Sequence, residues 1–408
     1  MKKALIIIIG LSAVGLVQAQ TLQSYIEEAE ANNPEVQAFE IRYNISKEKV
    51  AEVNSLPNSE VSAGIFVSEP ETRTGAQKAK FSVKQMLPWF GTITARENYA
   101  SSLAEVDYLD IAITKRKLRL AVSQAYYNFY AIMRKTEVLE ENGKLLKTYE
   151  QLALTAVEVG NASAVDVLRL QIRQNELQEQ KEILLQELHS ERNVFNNLLN
   201  RDEAMEIEVV DSLMIDVDYV QTKTEIGLHP ELEKYDRLYN SVEQSEALNQ
   251  KEANPNLGFG LDYIAVSERP DMTLNDNGKD ILMPMVSLSI PIFNNKYKSR
   301  SLQHELRQEE INAQKANRRN LLESILSATI NNREAARIKY NTQLKNLNQA
   351  KDAEEILIKN YETGTIDFNE LLDIQELQLK FQTNQIEAVK NYYSQMAAIN
   401  YLVEGRLE

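Results

Sequence analysis

Two hydrophobic periods alternate along this chain in a fixed order. Val61, Ala63, Ile65 and Val67 share one face of Glu60–Ser68, and Phe81 and Val83 share one face of Lys80–Leu87, opposite Ser82, Lys84 and Met86. Later, Leu257, Phe259, Leu261, Tyr263 and Ala265 fall on one face, as do Val286, Leu288, Ile290 and Ile292, opposite Ser287 and Ser289. Alternation with period two predicts four strands. The segments between paired strands, Glu69–Ala79 and Ser267–Ile281, are polar and predict loops. Elsewhere the pattern is helical. Thr94–Glu158 contains no Pro and one Gly, Gly143, and Lys298–Thr363 contains neither. At 1.5 Å per residue each of these helices would be about 100 Å long. Shorter helices are predicted before the strands, at about residues 21–54 and 221–252, and after the long helices, at Ser163–Asn200 and Asp367–Glu404. Laid end to end, the two short helices match one long helix, which predicts an extended rod of paired helices.

The order is used twice. Asn33-Pro34-Glu35 returns as His229-Pro230-Glu231, and Leu56-Pro57-Asn58 as Asn254-Pro255-Asn256. Leu87-Pro88-Trp89-Phe90 returns as Ile290-Pro291-Ile292-Phe293, and Gly160 as Gly364. Landmarks repeated in order mark a duplication. Repeat one spans 21–200 and repeat two 221–404, with a linker at 201–220.

Composition narrows the function. The net charge is −15, which excludes nucleic acid as the main partner because phosphate binding needs a basic footprint. With no Cys there is no disulfide, thiolate metal site or cysteine nucleophile. His189, His229 and His304 are far apart and never at metal-ligand spacing. No nucleophile, metal or phosphate-cradle motif is present, so neither an enzyme nor a bound cofactor is expected. Residues 1–19 read as a secretory signal: Lys2 and Lys3, an apolar stretch Ala4–Val17, and the small-residue site Val17-Gln18-Ala19. The mature chain, 20–408, then carries −17, two lysines fewer than −15. The apolar stretch is short for a membrane helix, which needs about 20 residues, and no later segment approaches one. Any entry into a membrane must therefore be by strands. Four strands cannot close a barrel, since the smallest need about eight. Open edges are forbidden in lipid, so three chains supplying twelve strands is the simplest closed solution.

The duplicated strand–long helix plan, the Pro-marked strand ends and the two Gly turns resemble the TolC outer-membrane efflux family. The resemblance covers nearly the whole mature chain. Val159-Gly160-Asn161-Ala162-Ser163-Ala164-Val165-Asp166-Val167-Leu168 looks like the first helix–turn–helix tip of that family. Tyr361-Glu362-Thr363-Gly364-Thr365-Ile366-Asp367-Phe368-Asn369-Glu370-Leu371-Leu372-Asp373 looks like the second. The resemblance implies a mainly α fold with a small β part. It implies a homotrimeric duct, a barrel in the outer membrane continued by an α-helical barrel through the periplasm. Its partners would be a periplasmic adaptor, an inner-membrane pump and outer-membrane lipid.

Specific residues follow from the pattern. Gly160 and Gly364 suit the left-handed position that ends a helix. Ser163 with Asp166, and Asp367 with Glu370, form capping boxes for the returning helices. By resemblance these tips are adaptor-docking points, and the closed periplasmic entrance uses a tyrosine, an arginine and carboxylates. Tyr361, Glu370 and Asp373 match in type and spacing, and Asp166 matches the first-tip carboxylate that the tyrosine reaches; the arginine position is Ile366. Three-fold symmetry would turn Glu370 and Asp373 into carboxylate rings that favour cations. Trp89 and Phe90 are candidates for an interfacial aromatic belt; a buried strand–helix corner is the plainer role. Tyr126, Tyr127 and Tyr130 are expected in helix packing, and the methionines, among them Met86, Met205, Met283 and Met285, look dispersed and show no metal relay. The competing class is a secreted coiled-coil structural or adhesion protein, which accounts for the helices and acidity but not for strands in symmetric pairs.

Overall fold

A computed structural model describes residues 22–160, 163–215, 226–227, 229–271, 273, 275–292, 294–363, 365–366 and 368–403. The leader, the mature N-terminus at Gln20, the end of the linker, Gly364 and Asp367 lie outside these residues. In chain order the elements are α1 (Leu22–Asn32), α2 (Pro34–Val53), β1 (Glu60–Ile65), β2 (Glu71–Thr72), β3 (Gly75–Leu87) and α3 (Thr92–Glu158). There follow α4 (Ala164–Leu198), α5 (Pro230–Glu252), β4 (Asn256–Val266), β5 (Ile281–Ser289), α6 (Lys296–Glu362) and α7 (Phe368–Val403). The two long helices are each 67 residues and unbroken. No described helix is long and apolar enough to cross a membrane.

The chain divides into two compact units, and each takes segments from both halves of the sequence. One, within 35–114 and 225–325, holds the sheet. Its strand order is β1-β3-β4-β5, all antiparallel, with β2 paired to β3. Helix starts in this unit are tied by side chains. Lys234 Nζ reaches Asp110 Oδ1 at 2.6 Å, and Arg237 reaches Glu105 at 2.8 Å. Pro230 stands at the first turn of α5, where its missing N–H costs nothing, and His229 Nδ1 accepts the N–H of Glu231 at 3.3 Å.

The other unit, within 22–34, 115–215 and 326–402, packs α1, α4, α7 and parts of α3 and α6. One buried cluster joins Leu139, Leu146 and Tyr149 of α3 to Leu170 and Leu177 of α4 and Phe368, Leu371 and Leu379 of α7. Another joins Tyr130, Ile215, Ala336, Tyr340, Ala388 and Tyr392.

Four sequence expectations need correction. The second leading helix, expected from about 221, begins at Pro230, with Ile226 and Gly227 outside it. The leading helix, expected unbroken over 21–54, is two helices, because Pro34 has no N–H to continue the ladder. The end of α4 closes that break: Asn33 Nδ2 donates to Leu198 O at 3.1 Å, and Asn200, at φ 52°, donates to Asn32 O at 3.2 Å. The strand expected to reach Ser68 stops at Ile65. The segment 69–79 is not a plain loop: β2 and the first turns of β3 form a tight hairpin in it, with Gly75 at φ 132°. A Cβ on Gly75 would meet Ser267 O at 1.7 Å, so only glycine fits. This hairpin locks onto the second loop, where Gly278 N–H donates to Thr74 O at 2.7 Å and Arg73 pairs with Asp276.

Candidate functional site

The first tip is built as its sequence dictates. Gly160 has φ 78° and its N–H donates to Val157 O at 3.0 Å, ending α3. A Cβ there would meet nothing within 4 Å, so the backbone angle, not space, selects glycine. Ser163 caps α4. Val165 N–H donates to Ser163 Oγ at 3.2 Å, and Ser163 N–H donates to Asp166 Oδ2 at 3.2 Å, a complete capping box. Asp166 is buried and lies 3.7 Å from Arg169.

The second tip uses groups the sequence pattern did not single out. Thr365 Oγ1 and N–H both donate to Asn360 O, at 2.8 and 3.0 Å, and Thr363 Oγ1 donates to Asn360 O at 3.0 Å. These bonds occupy a carbonyl that the end of α6 would leave open. Tyr361 is half-buried and packs edge-on against Phe368, ring centroids 5.1 Å apart; Phe368 in turn packs against Tyr149 at 6.3 Å. Glu370 and Asp373 are exposed on one face of α7.

Arginines on α4 reach neighbours of these residues on α7. Arg169 donates to Asn369 Oδ1, and Arg173 lies 3.8 Å from Glu376. With Asp373 they line a groove of about 470 Å³ between α4 and α7. Spacing alone could have suggested these arginines, since residues four apart share a helix face. Above the groove Glu354 accepts from Tyr149, Gln375 and Gln378, the last at 2.8 Å, so one carboxylate joins α3, α6 and α7. Burial first, and then this bond to Glu354, raise the Tyr149 pKa, which keeps the phenol protonated as the donor.

In the sheet unit the two faces differ sharply. Register places Val83 beside Leu261 and Leu261 beside Pro284, and Phe81 beside Tyr263 and Tyr263 beside Leu282. This face is apolar and solvent-facing in the isolated chain: Leu261 is 45% exposed and Val286 71%. The opposite face carries Ser62, Ser82, Lys80, Lys84, Asp262 and Ser287. Lys80 pairs there with Asp262. At the strand–helix corner Gly91 has φ 80°, and Trp89 and Phe90 meet edge-on at 5.8 Å, with Phe90 81% exposed.

One arrangement in this unit imitates catalysis. Ser245 Oγ is 3.1 Å from His304 Nε2, and His304 Nδ1 is 2.7 Å from Glu246 Oε2. Ser245 sits in the middle of α5, where backbone N–H groups are spent on the helix. The trio ties α5 to α6.

No protein-family model matches the chain, and no curated protein matches it. Solved structures do. The outer membrane protein VceC of Vibrio cholerae matches with TM-score 0.74 at 14% identity, covering 95% of this chain and 97% of that one. The CmeC outer membrane channel of Campylobacter jejuni matches with TM-score 0.72 at 13% identity, over 93% of this chain and 85% of CmeC. The open state of the MtrE outer membrane channel of Neisseria gonorrhoeae gives TM-score 0.70 at 16% identity, over 95% and 89%. The chain shares the fold of these channels.

Proposed function

We propose that this chain, built on the fold of those outer-membrane channels, is itself a TolC-type exit duct: a homotrimer in the outer membrane that works passively with a periplasmic adaptor and an inner-membrane pump. The observation that carries this is the sheet. It has an exposed apolar face and two open edges, β1 and β5. Water would penalise the face, and lipid would penalise the edges. Both penalties vanish if β5 of one chain pairs with β1 of the next and three chains close twelve strands around a polar lumen. A secreted coiled-coil protein would leave the apolar face in water.

In this arrangement the interlocked hairpin loops face outward, and Trp89 and Phe90 lie at the inner membrane boundary as part of an aromatic belt. The tips at Gly160 and Ser163, with Gly364 and Asp367, are the exposed ends that an adaptor would dock against. The leader expected at 1–19 would deliver the chain for export.

The aperture is tested in planar bilayers. Tyr361 and Asp166 of neighbouring helices would hold the closed state through a phenol–carboxylate bond worth about 1.5–3 kcal/mol at best. Tyr361→Phe keeps the ring on Phe368 and removes the hydroxyl, so single-channel conductance should rise. Glu370→Gln with Asp373→Asn should lower cation selectivity without changing conductance to the same degree, because it alters the field and not the width. Arg169 and Arg173 already offset part of that field, so the loss of selectivity should be partial. Preparations that form no pores would remove the duct proposal altogether; pores indifferent to both variants would reduce the tip residues to helix caps.

A further inference from the structure

The strands end level with one another on the side where the long helices begin. Leu87 pairs with Leu257, and Leu257 with Leu288, in one row across β3, β4 and β5. Two residues beyond that row, Trp89 and Ile290 leave the sheet. Trp89, Phe90, Ile290 and Ile292 are all exposed, Phe90 by 81% and Ile292 by 70%. The apolar face of the sheet thus continues into two apolar corners.

Cations gather just beyond those corners. Asn249 Nδ2 donates to Tyr297 O at 3.0 Å, which sets the end of α5 beside the start of α6. Glu252 takes Arg300 of α6 at 3.1 Å and Arg96 of α3 at 3.7 Å, so three helices meet at one carboxylate. Lys251, next to it in α5, lays its stem over Gly91: a Cβ on that glycine would stand 3.6 Å from both Lys251 Cε and Nζ. Lys296 Nζ stands 5.8 Å from the ring of Tyr297. Lys251, Lys296 and Lys298 are exposed and form no ion pair among the described residues. Glu97, beside Arg96, is the other carboxylate in these turns. Positive charge is therefore in excess here, in a chain of net charge −15.

Helix chemistry does not account for that excess. α6 opens on Lys296, Lys298 and Arg300 with no acid in its first turn, and the positive end of a helix dipole disfavours cations. An anion from outside the chain resolves the conflict. Apolar corner, aromatic ring and then free ammonium is also the order in which a bilayer passes from acyl chains to headgroups.

We propose that Lys251, Lys296 and Lys298 bind the phosphates of anionic phospholipid headgroups in the inner leaflet of the outer membrane, with Trp89, Phe90 and Ile292 seated in the adjacent acyl chains. The proposal rests on the duct reading, which puts this end of the sheet at the periplasmic boundary, and adds a lipid class to it. Charge decides the class: a zwitterionic headgroup carries its own cation and offers these lysines no net attraction.

Trp89 is the chain's one tryptophan, so its fluorescence reports this corner alone. The purified protein is reconstituted in vesicles of phosphatidylcholine and phosphatidylglycerol, with brominated acyl chains on one lipid or the other. Brominated phosphatidylglycerol should quench Trp89 with an apparent affinity about threefold or more above that of brominated phosphatidylcholine. Lys251→Gln with Lys296→Gln and Lys298→Gln should bring the two lipids to parity. Lys251→Arg with Lys296→Arg and Lys298→Arg should keep the preference. Lys147→Gln with Lys345→Gln, on the other unit, should leave it unchanged. At matched ionic strength, inorganic phosphate should reduce the preference no more than chloride does. Equal quenching by both lipids in the parent, an unchanged preference in the Gln triple variant, or specific displacement by inorganic phosphate would overturn the lipid site. Pore formation recorded on the same vesicles separates the two readings. Pores with equal quenching count against the headgroup site alone, whereas Trp89 unquenched by either lipid, without pores, removes the duct and the site with it.

Discussion

Leu261→Arg is expected to abolish membrane assembly of this chain, while Ser62→Arg leaves it intact. Leu261 is central in β4, with Val83 and Pro284 beside it on the same apolar face. If that face meets lipid, an arginine near the bilayer midplane costs about 2–4 kcal/mol per copy, and three copies make about 6–12 kcal/mol. A penalty of that size rivals the whole stability of a domain, typically about 5–15 kcal/mol. Ser62 is on the other face, opposite Ser82, and its replacement would extend into a watery lumen. Membrane fractionation and heat-modifiability on gels give the readout. A Leu261→Arg protein that assembles as the parent does would show that the apolar face does not meet lipid.

The second large effect concerns residues 206–215. This segment lies in no helix or strand, so its backbone groups must be met by side chains. Glu208, Val210 and Leu213 donate their N–H groups to the hydroxyls of Tyr25, Tyr126 and Tyr130 at 2.9, 3.1 and 3.0 Å. Tyr393 donates to Met214 O at 2.7 Å. All three accepting tyrosines are buried. Replacing each by Phe keeps the packing and strands an N–H, at about 1–3 kcal/mol apiece. The triple variant should lose about 3–6 kcal/mol of unfolding free energy, allowing for coupling between neighbours. It should also be cut by protease within 206–215 at native conditions. Tyr127→Phe is the control. Tyr127 packs between the rings of Tyr126 and Tyr393, and burial pushes its pKa up to about 12, yet its contacts with these rings do not require the hydroxyl. If the triple variant denatures at the parent's midpoint, the hydroxyls do not fasten the segment.

Local rules carried much of the architecture. The absence of Pro predicted the long helices to within two residues at each end, and the Ser163–Asp166 spacing predicted a capping box that the structure contains. The four main strands overlap the segments that period-two alternation marked, though β1 stops at Ile65 and β5 at Ser289. What local rules missed was set by contacts between distant residues. Tyr126 and Tyr130 look like helix packing in sequence, and nothing local shows that their hydroxyls meet a segment more than eighty residues on. Lys251 and Lys298 look like ordinary surface charges until Glu252 draws α3, α5 and α6 together. Arg169 and Arg173 take on meaning only once α4 lies along α7. The turn in 69–79 was hidden because Gly75 acts through its fit against Ser267, far along the chain. At the second tip, Gly364 and Asp367 fall outside the described residues, and there the threonines bond Asn360 O.

The central claim is that this sheet is complete only when three chains share it. Multi-angle light scattering of the detergent-extracted protein, corrected for bound detergent, measures that directly. The account predicts a mass of three chains together with a β signal in circular dichroism. A stable single chain that keeps its four strands would contradict it.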